Sequence, residues 1–355
     1  MKAAVWHSKR DVRVEDFPAP SGAGPGEALV EVALCGICGT DLHEYIDGPQ
    51  YIPLEPHPLT GAAAPIVMGH EFAGTVVEVG AGVTRARKGD RVAVSPIQSC
   101  QQCAACRRGQ IYLCKVFAGI GLHTRFGGFG KYVLAKEYQL FPMPDGLNWR
   151  QGAVTEPACV ATHAIDRGGV KPGDTVLITG GGPIGQLAGM AARVAGASQI
   201  YISEVTPHRR ELVARNVEPT GVLDPTREDI PEALQAATDG WGADVTIEAS
   251  ASERGLADAL AATRNGGVIV QVAVFTRSVS IHPGSALTNV EKSLAGTLCY
   301  YASDWPRVMD LIVSGQLPAE RVVSAEIPID DILELGFDEL TRPDNRQAKV
   351  LVRPE

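Results

Sequence analysis

Six residues near the middle of the chain, Gly180 to Gly185 with the sequence GGGPIG, constrain the fold most strongly. They follow the strand-like run TVLIT and open a segment with helical spacing, PIGQLAGMAARVAG. In a G-x-G-x-x-G turn the first glycine permits the tight turn, the second lets the backbone approach a pyrophosphate, and the third lets the helix pack on the strand. Pro183 suits the first helical turn, where its missing N–H costs nothing. The segment therefore predicts a dinucleotide-binding βαβ unit.

The chain after residue 170 alternates strand-like and helical segments, which indicates a parallel sheet. The next strand-like run, QIYISE, ends at Glu204, 19 residues after Gly185. A carboxylate at this position hydrogen-bonds the adenosine ribose hydroxyls and repels a 2′-phosphate, which favours NAD over NADP. Arg209 and Arg210 follow closely and weaken that preference, because arginine pairs with phosphate. The alternative is a purely structural glycine-rich turn followed by a surface acid.

Length and composition indicate the number of domains, the kinds of partner and the cellular location. The 355 residues suffice for about two domains, and the short apolar runs before residue 150, separated by Gly, Pro and Asp turns, indicate a β-rich domain. The net charge of −9 argues against nucleic acid or an anionic membrane as a partner. Because the first residues lack the apolar core of a signal peptide, we expect a cytoplasmic, reducing location and no membrane span.

Four of the eight cysteines, Cys100, Cys103, Cys106 and Cys114, fall within 15 residues. In a reducing compartment such a cluster is more typical of a metal site than of disulfides. Tetrahedral zinc takes four thiolates, and a site with four protein ligands is closed and structural. An iron–sulfur cluster is the competing metal site, but ferredoxin-type runs continue with x3-Cys-Pro, whereas here the last spacing is x7 and Lys115 follows.

A second set of metal-ligand residue types is spread over three segments. Cys38 lies in CGICGTDLHEY, the pair His70-Glu71 follows Gly69, and Glu156 lies in TEPAC. A catalytic zinc needs three protein ligands and one open position, which Cys38, His70 and a carboxylate would supply. Each residue alone is more typical of packing or surface hydrogen bonding, so the prediction depends on the whole set.

Three cysteines remain after these two sets. They are Cys35, Cys159 and Cys299. Cys35 has C-x2-C spacing with Cys38 and could be mistaken for a ligand, but a lone cysteine is usually a small buried apolar group. We therefore interpret all three as packing residues.

In order along the chain, the segments CGICGTDLHEY, GHEFAGTVVEVGAGV, KGDRVAV, the four-cysteine lobe, GGFGKYV and GGGPIG resemble those of the zinc-dependent medium-chain alcohol dehydrogenases. The resemblance covers nearly the whole chain. It implies an α/β fold, with a doubly wound Rossmann sheet and a β-rich GroES-like catalytic domain. The expected bounds are 1–157 for the catalytic domain with its structural zinc lobe near 98–116, 158–298 for the NAD-binding domain, and 299–355 for a return to the catalytic domain.

The resemblance also implies roles for individual residues. Cys38 and His70 match ligands of a catalytic zinc. Thr40 matches the hydroxyl that hydrogen-bonds the substrate alcohol, and His43 matches the end of the proton relay. The implied cofactors are two zinc ions per chain and NAD, and the expected NAD-binding residues are Gly180, Gly182, Pro183, Ile184, Gly185, Glu204 and Arg209.

The third ligand of the catalytic zinc stays open. Glu156-Pro157 matches the polyol and threonine dehydrogenase branch, where glutamate replaces a zinc cysteine of the liver-type enzymes. In that branch either this glutamate or the one after the zinc histidine can approach the metal. Glu71 and Glu156 are therefore both candidates, and one of them can bind through water.

A proline-rich insert between His43 and His70 indicates which branch of this family the chain resembles most. Residues 48–65 contain five prolines and predict a long irregular loop. The pattern HEYIDGP, then HPLTG and AP, is similar to the 2,3-butanediol dehydrogenases. The insert either borders the substrate cleft or is a solvated surface loop, and we interpret His57 as a surface residue.

The expected reaction is interconversion of a secondary alcohol or vicinal diol and its ketone, with (R,R)-2,3-butanediol and acetoin as the favoured pair. Zinc would lower the pKa of the substrate hydroxyl, and hydride would pass to the nicotinamide. Thr40 would relay the alcohol proton through the cofactor ribose toward His43, because imidazole exchanges protons at neutral pH. Threonine or sorbitol dehydrogenase activity is the principal alternative.

Two other kinds of protein would explain less of the sequence. A binding module built around the zinc lobe would not explain the βαβ half of the sequence. A zinc-free relative of the quinone-reductase type would not explain the four-cysteine lobe, which that group lacks. Relatives by resemblance are dimers or tetramers, so we expect a homo-oligomer that binds a small alcohol or diol.

Overall fold

The computed structural model describes residues 1–342 and 344–355. The chain forms two compact units. The first comprises Met1–Glu156, Tyr301–Ser314 and Val323–Glu355, and the second comprises Pro157–Tyr300 and Gly315–Val322. The first unit is thus assembled from three separate stretches of the sequence.

The N-terminal stretch is rich in strands, as its apolar runs predicted. Its strands are β1 (Lys2–Ser8), β2 (Asp11–Asp16), β3 (Glu27–Gly36), β4 (Ile66–Val67), β5 (Glu71–Val79), β6 (Arg91–Val94), β7 (Ile97–Gln98), β8 (Ala118–Gly119), β9 (Tyr132–Lys136) and β10 (Leu140–Pro142). Its helices are α1 (Gly39–Asp47), α2 (Ala104–Arg107) and α3 (Trp149–Gly168), within which the division between the units falls.

The middle of the chain alternates strands and helices. Its strands are β11 (Thr175–Thr179), β12 (Gln199–Ser203), β13 (Gly221–Leu223), β14 (Ala243–Glu248), β15 (Thr263–Gln271) and β16 (Ser293–Gly296), and its helices are α4 (Pro183–Val194), α5 (Pro207–Val217), α6 (Ile230–Ala237), α7 (Glu253–Ala262) and α8 (Pro283–Ala286). The six strands form one parallel sheet in the order β13-β12-β11-β14-β15-β16. This is the doubly wound order of a Rossmann sheet, with its switch point between β11 and β14.

The C-terminal stretch adds α9 (Asp304–Val313), β17 (Val323–Pro328), α10 (Glu339–Thr341) and β18 (Lys349–Arg353). Short helical turns occur in all three parts: 3₁₀ turns at Ile111–Leu113, Glu137–Gln139, Thr288–Val290, Ala319–Val322 and Ile329–Asp331, and a π-helical turn at Ile332–Asp338.

The main sheet of the first unit brings its metal-ligand residues to one place. The strand order is β10-β6-β5-β3-β18-β17, and β9 also pairs with β3. Glu71, which opens β5, stands opposite Gly36 at the end of β3, and Leu351 of β18 pairs with the same Gly36. The end of β3, the start of β5 and the start of β18 therefore meet.

The helix α3 was missed by sequence analysis. Its residues are almost all buried between Ala153 and Ile165, so no polar face alternates with an apolar face to give a helical period. Pro157 inside it also argued against a helix. The insert at 48–65, all of which is described, contains neither helix nor strand, and its prediction as an irregular loop is confirmed. No described helix combines the length and apolar character needed to cross a membrane.

Candidate active site

Cys38 lies at the junction of β3 and α1, where it is the N-cap residue of the helix. Its Sγ is 3.7 Å from Oγ1 of Thr40. Because residues three apart lie on one side of a helix, Thr40 and His43 share a face of α1. The Cys38 thiol, a candidate metal ligand, and the Thr40 hydroxyl and His43 imidazole, the expected proton-transfer groups, thus all lie at the start of α1.

His70 and Glu71 reach the same place from the start of β5. Ligand atoms of Cys38, His70 and Glu71 all lie within 4.8 Å of one another. A thiolate, an imidazole and a carboxylate at such separations are a donor set that suits zinc with an open fourth position. The residues present therefore fit a catalytic metal.

A buried lysine from the far end of the chain completes this cluster. Lys349 Nζ lies 2.8 Å from Oε1 and 2.6 Å from Oε2 of Glu71 and donates to the backbone oxygen of Ile37 at 2.9 Å. Burial alone would lower the pKa of Lys349, but the negative charges of Glu71, Cys38 and Glu156 outweigh it and raise that pKa. Lys349 therefore stays protonated and offsets one carboxylate.

Asp41 lies beside the imidazole of His70. Its carboxylate is fully buried, accepts the Cys38 backbone N–H at 2.9 Å, and has Oδ1 3.4 Å from Nδ1 of His70. Burial would lower the pKa of His70, yet the charges of Asp41 and Cys38 raise it well above its usual value. A carboxylate on the Nδ1 side leaves Nε2 to face a metal, as is usual for zinc histidines.

Glu156 lies on α3 and is buried. Among the described residues it does not fall in the close group formed by Cys38, His70 and Glu71. Its charge nevertheless contributes to the raised pKa of Lys349, so the carboxylate lies near the same cluster. Of the two candidate carboxylates, the structure brings Glu71 within direct ligand range of the other two residues.

Sequence reasoning missed Asp41 and Lys349. Asp41 carries a local signal, because a carboxylate three residues after an N-cap is the position from which a side chain returns to the N-cap backbone N–H. Lys349 carries none, since 278 residues separate it from Glu71 and only the pairing of β18 with β3 brings them together.

The four clustered cysteines form a second group with all ligand atoms within 4.8 Å. The Sγ atoms of Cys103 and Cys106 are 3.5 Å apart, and those of Cys100 and Cys106 are 4.0 Å apart. Tetrahedral Zn–S bonds of about 2.3 Å place sulfur atoms about 3.8 Å apart, so the spacing fits one zinc ion.

The backbone of the lobe favours thiolates. Backbone N–H groups of Cys106 and Lys115 point at Cys103 and lower its pKa to about 6. Backbone N–H groups also donate to the sulfurs of Cys114 and Cys100, at 3.3 and 3.4 Å. Burial, in contrast, raises the pKa of Cys114 to about 11. The thiolate, which is the zinc-binding form of cysteine, is therefore favoured at Cys103 but not at Cys114.

The three cysteines interpreted as packing residues lie outside both close groups of the described chain. Cys35 and Cys159 are fully buried, whereas Cys299 is half-buried. Burial raises the pKa of Cys35 well above its usual value, so this thiol stays protonated although it is three residues from Cys38. None of the eight cysteines, all of them described, forms a disulfide.

The glycines of the dinucleotide turn have three different environments. Gly180 has a φ of +101°, which L side chains rarely adopt. A Cβ on Gly185 would lie 1.9 Å from the backbone oxygen of Gly180, whereas a Cβ on Gly182 would have no described heavy atom within 4 Å. Gly182 caps α4, and half-buried Pro183 and Ile184 form its first turn. The open space at Gly182 fits a pyrophosphate at the helix start.

Glu204, the acid expected at the adenosine ribose, lies beside this turn. It is buried, and its carboxylate accepts the backbone N–H groups of Gly181 at 2.9 Å and Thr206 at 2.7 Å. Arg210 donates to the backbone oxygen of Glu204 and pairs with Asp224 at 2.8 Å, so this arginine is committed to protein groups. Arg209 is half-buried beside it on α5.

Two family models match the chain in succession. Residues 24–145 match the alcohol dehydrogenase GroES-like domain, and residues 183–314 match the zinc-binding dehydrogenase domain. Together they cover more than half of the sequence. The chain belongs to the zinc-dependent medium-chain alcohol dehydrogenases. The predicted α/β fold, the zinc and nicotinamide cofactors, and the enzyme class are thereby confirmed.

Individual members of the family extend the match over the full length. An (R,R)-butanediol dehydrogenase of Bacillus subtilis (strain 168) is 39% identical, with 100% of both chains covered. The crystal structure of 2R,3R-butanediol dehydrogenase from Bacillus subtilis has a TM-score of 0.91 and 38% identity and covers 100% of this chain and 99% of the other. A sorbitol dehydrogenase of the same strain is 30% identical over 100% of this chain and 97% of its own length.

Proposed function

We propose that this dehydrogenase oxidises (R,R)-2,3-butanediol to acetoin with NAD, releasing NADH and a proton, and catalyses the reverse reduction. The observation that carries the proposal is the full-length similarity to (R,R)-butanediol dehydrogenases. It is combined with two carboxylates at the candidate site, Glu71 in the close ligand group and Glu156 near it. Sorbitol dehydrogenase activity is the alternative, because a sorbitol dehydrogenase also matches over the full length.

The zinc ligands in this proposal are Cys38, His70 and Glu71. Bound zinc would act as a Lewis acid toward the substrate hydroxyl. Lys349 donates to both oxygens of Glu71 and fixes the orientation of the carboxylate. Each oxygen keeps a further lone pair that could bind zinc. Glu156 then faces the metal through water or through a substrate oxygen.

The substrate proton would leave by way of α1. Thr40 Oγ1, beside the Cys38 sulfur, accepts the hydrogen bond of the alcohol and passes the proton toward His43. His43 is half-buried, so its imidazole can exchange the proton with water. The adjacent Asp41 is fully buried and faces His70, with one carboxylate oxygen accepting the Cys38 N–H.

The insert at 48–65 is tied to the same helix. The carboxylate of Glu44 is fully buried and accepts three consecutive backbone N–H groups of the insert, those of Gln50, Tyr51 and Ile52. Since Glu44 adjoins His43, the first turn of the insert is fixed relative to the proton-handling residues. This favours the interpretation that the insert borders the substrate cleft over that of an independent surface loop.

The test of function is a substrate panel on protein of known zinc content. We expect kcat/KM for (R,R)-2,3-butanediol to exceed those for sorbitol, threonine and ethanol by at least tenfold, and acetoin to be reduced with NADH. The (S,S) diol serves as the matched control, since it differs only in configuration. A higher kcat/KM for sorbitol or threonine would overturn the butanediol proposal.

The choice of third ligand has its own test. Glu71→Gln should lower zinc content to one ion per chain, whereas Glu156→Gln should retain two ions and lose activity on the diol. The same zinc analysis showing the reverse pattern would assign the direct bond to Glu156.

We further propose that the protein is a homodimer or homotetramer. Strand β16 lies at the edge of the parallel sheet, and its residues are largely exposed, with Leu294 and the nearby Leu298 among the exposed large apolar side chains. An exposed apolar edge strand without lysine or proline is a surface that natural proteins normally cover. Leu294→Lys should shift sedimentation toward monomer, whereas Val313→Lys, at an exposed apolar residue of α9, should leave the oligomer unchanged.

A further inference from the structure

Glu248 is a buried carboxylate that the reaction described above does not use. It is the last residue of β14 and is 0% exposed. Its Oε1 accepts the Ser250 backbone N–H at 2.9 Å and the hydroxyl groups of Ser250 and Thr179, and its Oε2 accepts the side-chain N–H of Gln271 at 2.6 Å. A carboxylate with no exposed surface is expensive unless its partners are fixed, so this arrangement is specific.

The position of Glu248 in the sheet is the reason to look for a function. Thr179, Glu248 and Gln271 are the last residues of β11, β14 and β15, three adjacent strands of the parallel sheet. Ligands of doubly wound sheets bind at the carboxyl ends of the strands, at the switch point, which here lies between β11 and β14. One carboxylate thus joins the three strand ends on one side of the dinucleotide crevice.

The direction of the cofactor across these strands follows from the rest of the site. Glu204, on the β12 side, is the acid expected at the adenosine ribose, and the Gly180–Gly185 turn after β11 holds the pyrophosphate. The remaining half, nicotinamide and its ribose, must then extend over β14 and β15. Glu248 and Gln271 lie under that half.

Glu248 also controls the turn that follows β14. A Cβ on Gly180 would lie 2.8 Å from the backbone carbon of Ala249 and 2.9 Å from the Ser250 nitrogen, so this turn is packed against the first glycine of the pyrophosphate turn. Ala251, in the same turn, has a φ of +53°, a left-handed conformation that a residue other than glycine adopts at a cost. The bonds from Ser250 to Glu248 hold the turn in this conformation.

We propose that Glu248 is a positioning residue for the nicotinamide-ribose half of the cofactor, acting through Ser250 and Gln271. The carboxylate fixes the backbone of residues 249–252 and the amide of Gln271 beside the strand ends over which that half must lie. The inference depends on the dinucleotide cofactor of the family and not on which alcohol is oxidised.

Because of this hydrogen-bond pattern, Glu248→Gln changes the bonding of the side chain with little change in its size. A glutamine keeps the shape but must turn its NH₂ group either toward the Ser250 N–H or toward the Gln271 NH₂, and both are donors. In the double variant Glu248→Gln/Gln271→Glu, donor and acceptor are exchanged and the bond between the two side chains is restored. The second bond of the Gln271 amide, to the backbone oxygen of Ala273 at 2.8 Å, is lost in that variant, so only partial recovery is expected. Gln271→Leu is a second single variant, which removes the amide and leaves Ser250 bonded to the carboxylate.

The experiment measures dissociation constants by fluorescence titration with NADH and by competition with ADP, which lacks nicotinamide and its ribose. In Glu248→Gln we expect the Kd of NADH to rise about tenfold, the effect of one lost hydrogen bond to a charged group, and the Kd of ADP to change less than about twofold. The double variant should recover part of the NADH affinity, and Gln271→Leu should show the same NADH-specific loss. Glu253→Gln, an exposed carboxylate in the next helix, is the matched control.

Two results would overturn the proposal. An unchanged Kd of NADH in Glu248→Gln and Gln271→Leu would show that neither side chain positions the cofactor. Equal losses for NADH and ADP would show that Glu248 supports the whole Rossmann turn and has no selective role at the nicotinamide end. Because ADP binding is measured on the same protein, failure to fold is distinguished from selective loss.

Discussion

Lys349 Nζ lies 2.6 Å from Oε2 of Glu71, and the lysine and glutamate residues are only 2% and 1% exposed. The pair joins β18, the last strand of the chain, to β5, which begins with Glu71, a member of the proposed zinc site. A buried charge is stable only when it is paired and hydrogen-bonded, so the C-terminal strand supplies an electrostatic component of the catalytic cluster.

Replacing Lys349 should damage both stability and the metal site. Lys349→Met leaves the Glu71 carboxylate buried without its cation, and loss of one partner of such a pair costs about 3–5 kcal/mol. We expect a lower free energy of unfolding in urea and weaker retention of one zinc ion during dialysis against a chelator.

The control for this variant is Lys131→Met. Lys131 pairs with Glu31 at 3.7 Å on the surface, and exposed ion pairs contribute about 0–1 kcal/mol. Similar stability losses in the two variants would contradict the assigned role of Lys349, as would full zinc retention after Lys349→Met.

The extent to which sequence predicted this protein can be judged from Gly185 and Cys100. Both belong to motifs in which the chemistry is local: a turn that only glycine allows, and four thiolates within one loop. The strands and helices around the dinucleotide turn were likewise predicted from short-range periodicity. Local patterns therefore gave the fold class and the two kinds of cofactor.

The missing parts are those that depend on contacts between distant segments. In the sequence, Lys349 is an ordinary polar residue at the start of KVLVRP, and only the pairing of β18 with β3 gives it a role. The helix that carries Glu156 is buried on nearly all sides, so it has no amphipathic period. Glu248 ends a strand that was predicted, but its bonds to Thr179 and Gln271 arise only from the order of strands in the sheet.

Two glycine variants of the dinucleotide turn should affect different properties: Gly182→Ala should weaken cofactor binding, and Gly185→Ala should lower the stability of the fold. At Gly182 an added Cβ enters open space, so Gly182→Ala should cost less than about 1 kcal/mol of stability while its methyl group blocks approach of the pyrophosphate. At Gly185 the Cβ would lie 1.9 Å from a backbone oxygen, so Gly185→Ala should destabilise the fold by about 1–3 kcal/mol.

Thermal unfolding and NADH titration separate these effects. The expected pattern is a near-normal Tm with at least tenfold weaker NADH binding for Gly182→Ala, and a clearly lower Tm for Gly185→Ala. If Gly182→Ala bound NADH normally, the pyrophosphate would have to lie elsewhere than at the start of α4.

Variants in the two cysteine-containing sites should each lose a different one of the two zinc ions. We expect two zinc ions per chain. Cys38→Ser should lose one ion and all activity with little change in Tm, because its site is open on one side. Cys103→Ser should lose the other ion and lower the Tm, since a closed site with four protein ligands contributes its binding free energy to folding.

The control for both is Cys35→Ala, which tests the interpretation of a packing cysteine. Metal analysis should give two zinc ions for this variant, with a stability loss only from the lost sulfur. Loss of a zinc ion from Cys35→Ala would make Cys35 a ligand and contradict the assignment of the C-x2-C pair.

His123 should make stability depend on pH in the acid range. Its ring is buried against His57, with ring centroids 4.9 Å apart, and Nδ1 accepts the Gly119 backbone N–H at 3.1 Å. Burial, with a smaller contribution from His57, lowers the pKa of His123 to about 4, whereas an unfolded chain has a histidine pKa of about 6.5. Between these values the unfolded state binds more protons. The contribution to stability is therefore complete above pH 6.5 and is lost as the pH falls toward 4, by at most about 3 kcal/mol.

His123→Asn removes this titration and keeps an acceptor for the Gly119 N–H. Urea unfolding at pH 7 and pH 5 should show a smaller decrease in stability for the variant than for the wild-type protein, a difference of about 1–2 kcal/mol. His208→Asn is the control, because His208 is more exposed, pairing with Glu211 at 3.4 Å on the surface. Since the titratable groups outside the His57–His123 pair are the same in these proteins, the difference reports this pair. Parallel pH dependence in wild type and His123→Asn would mean that folding does not lower the pKa of His123.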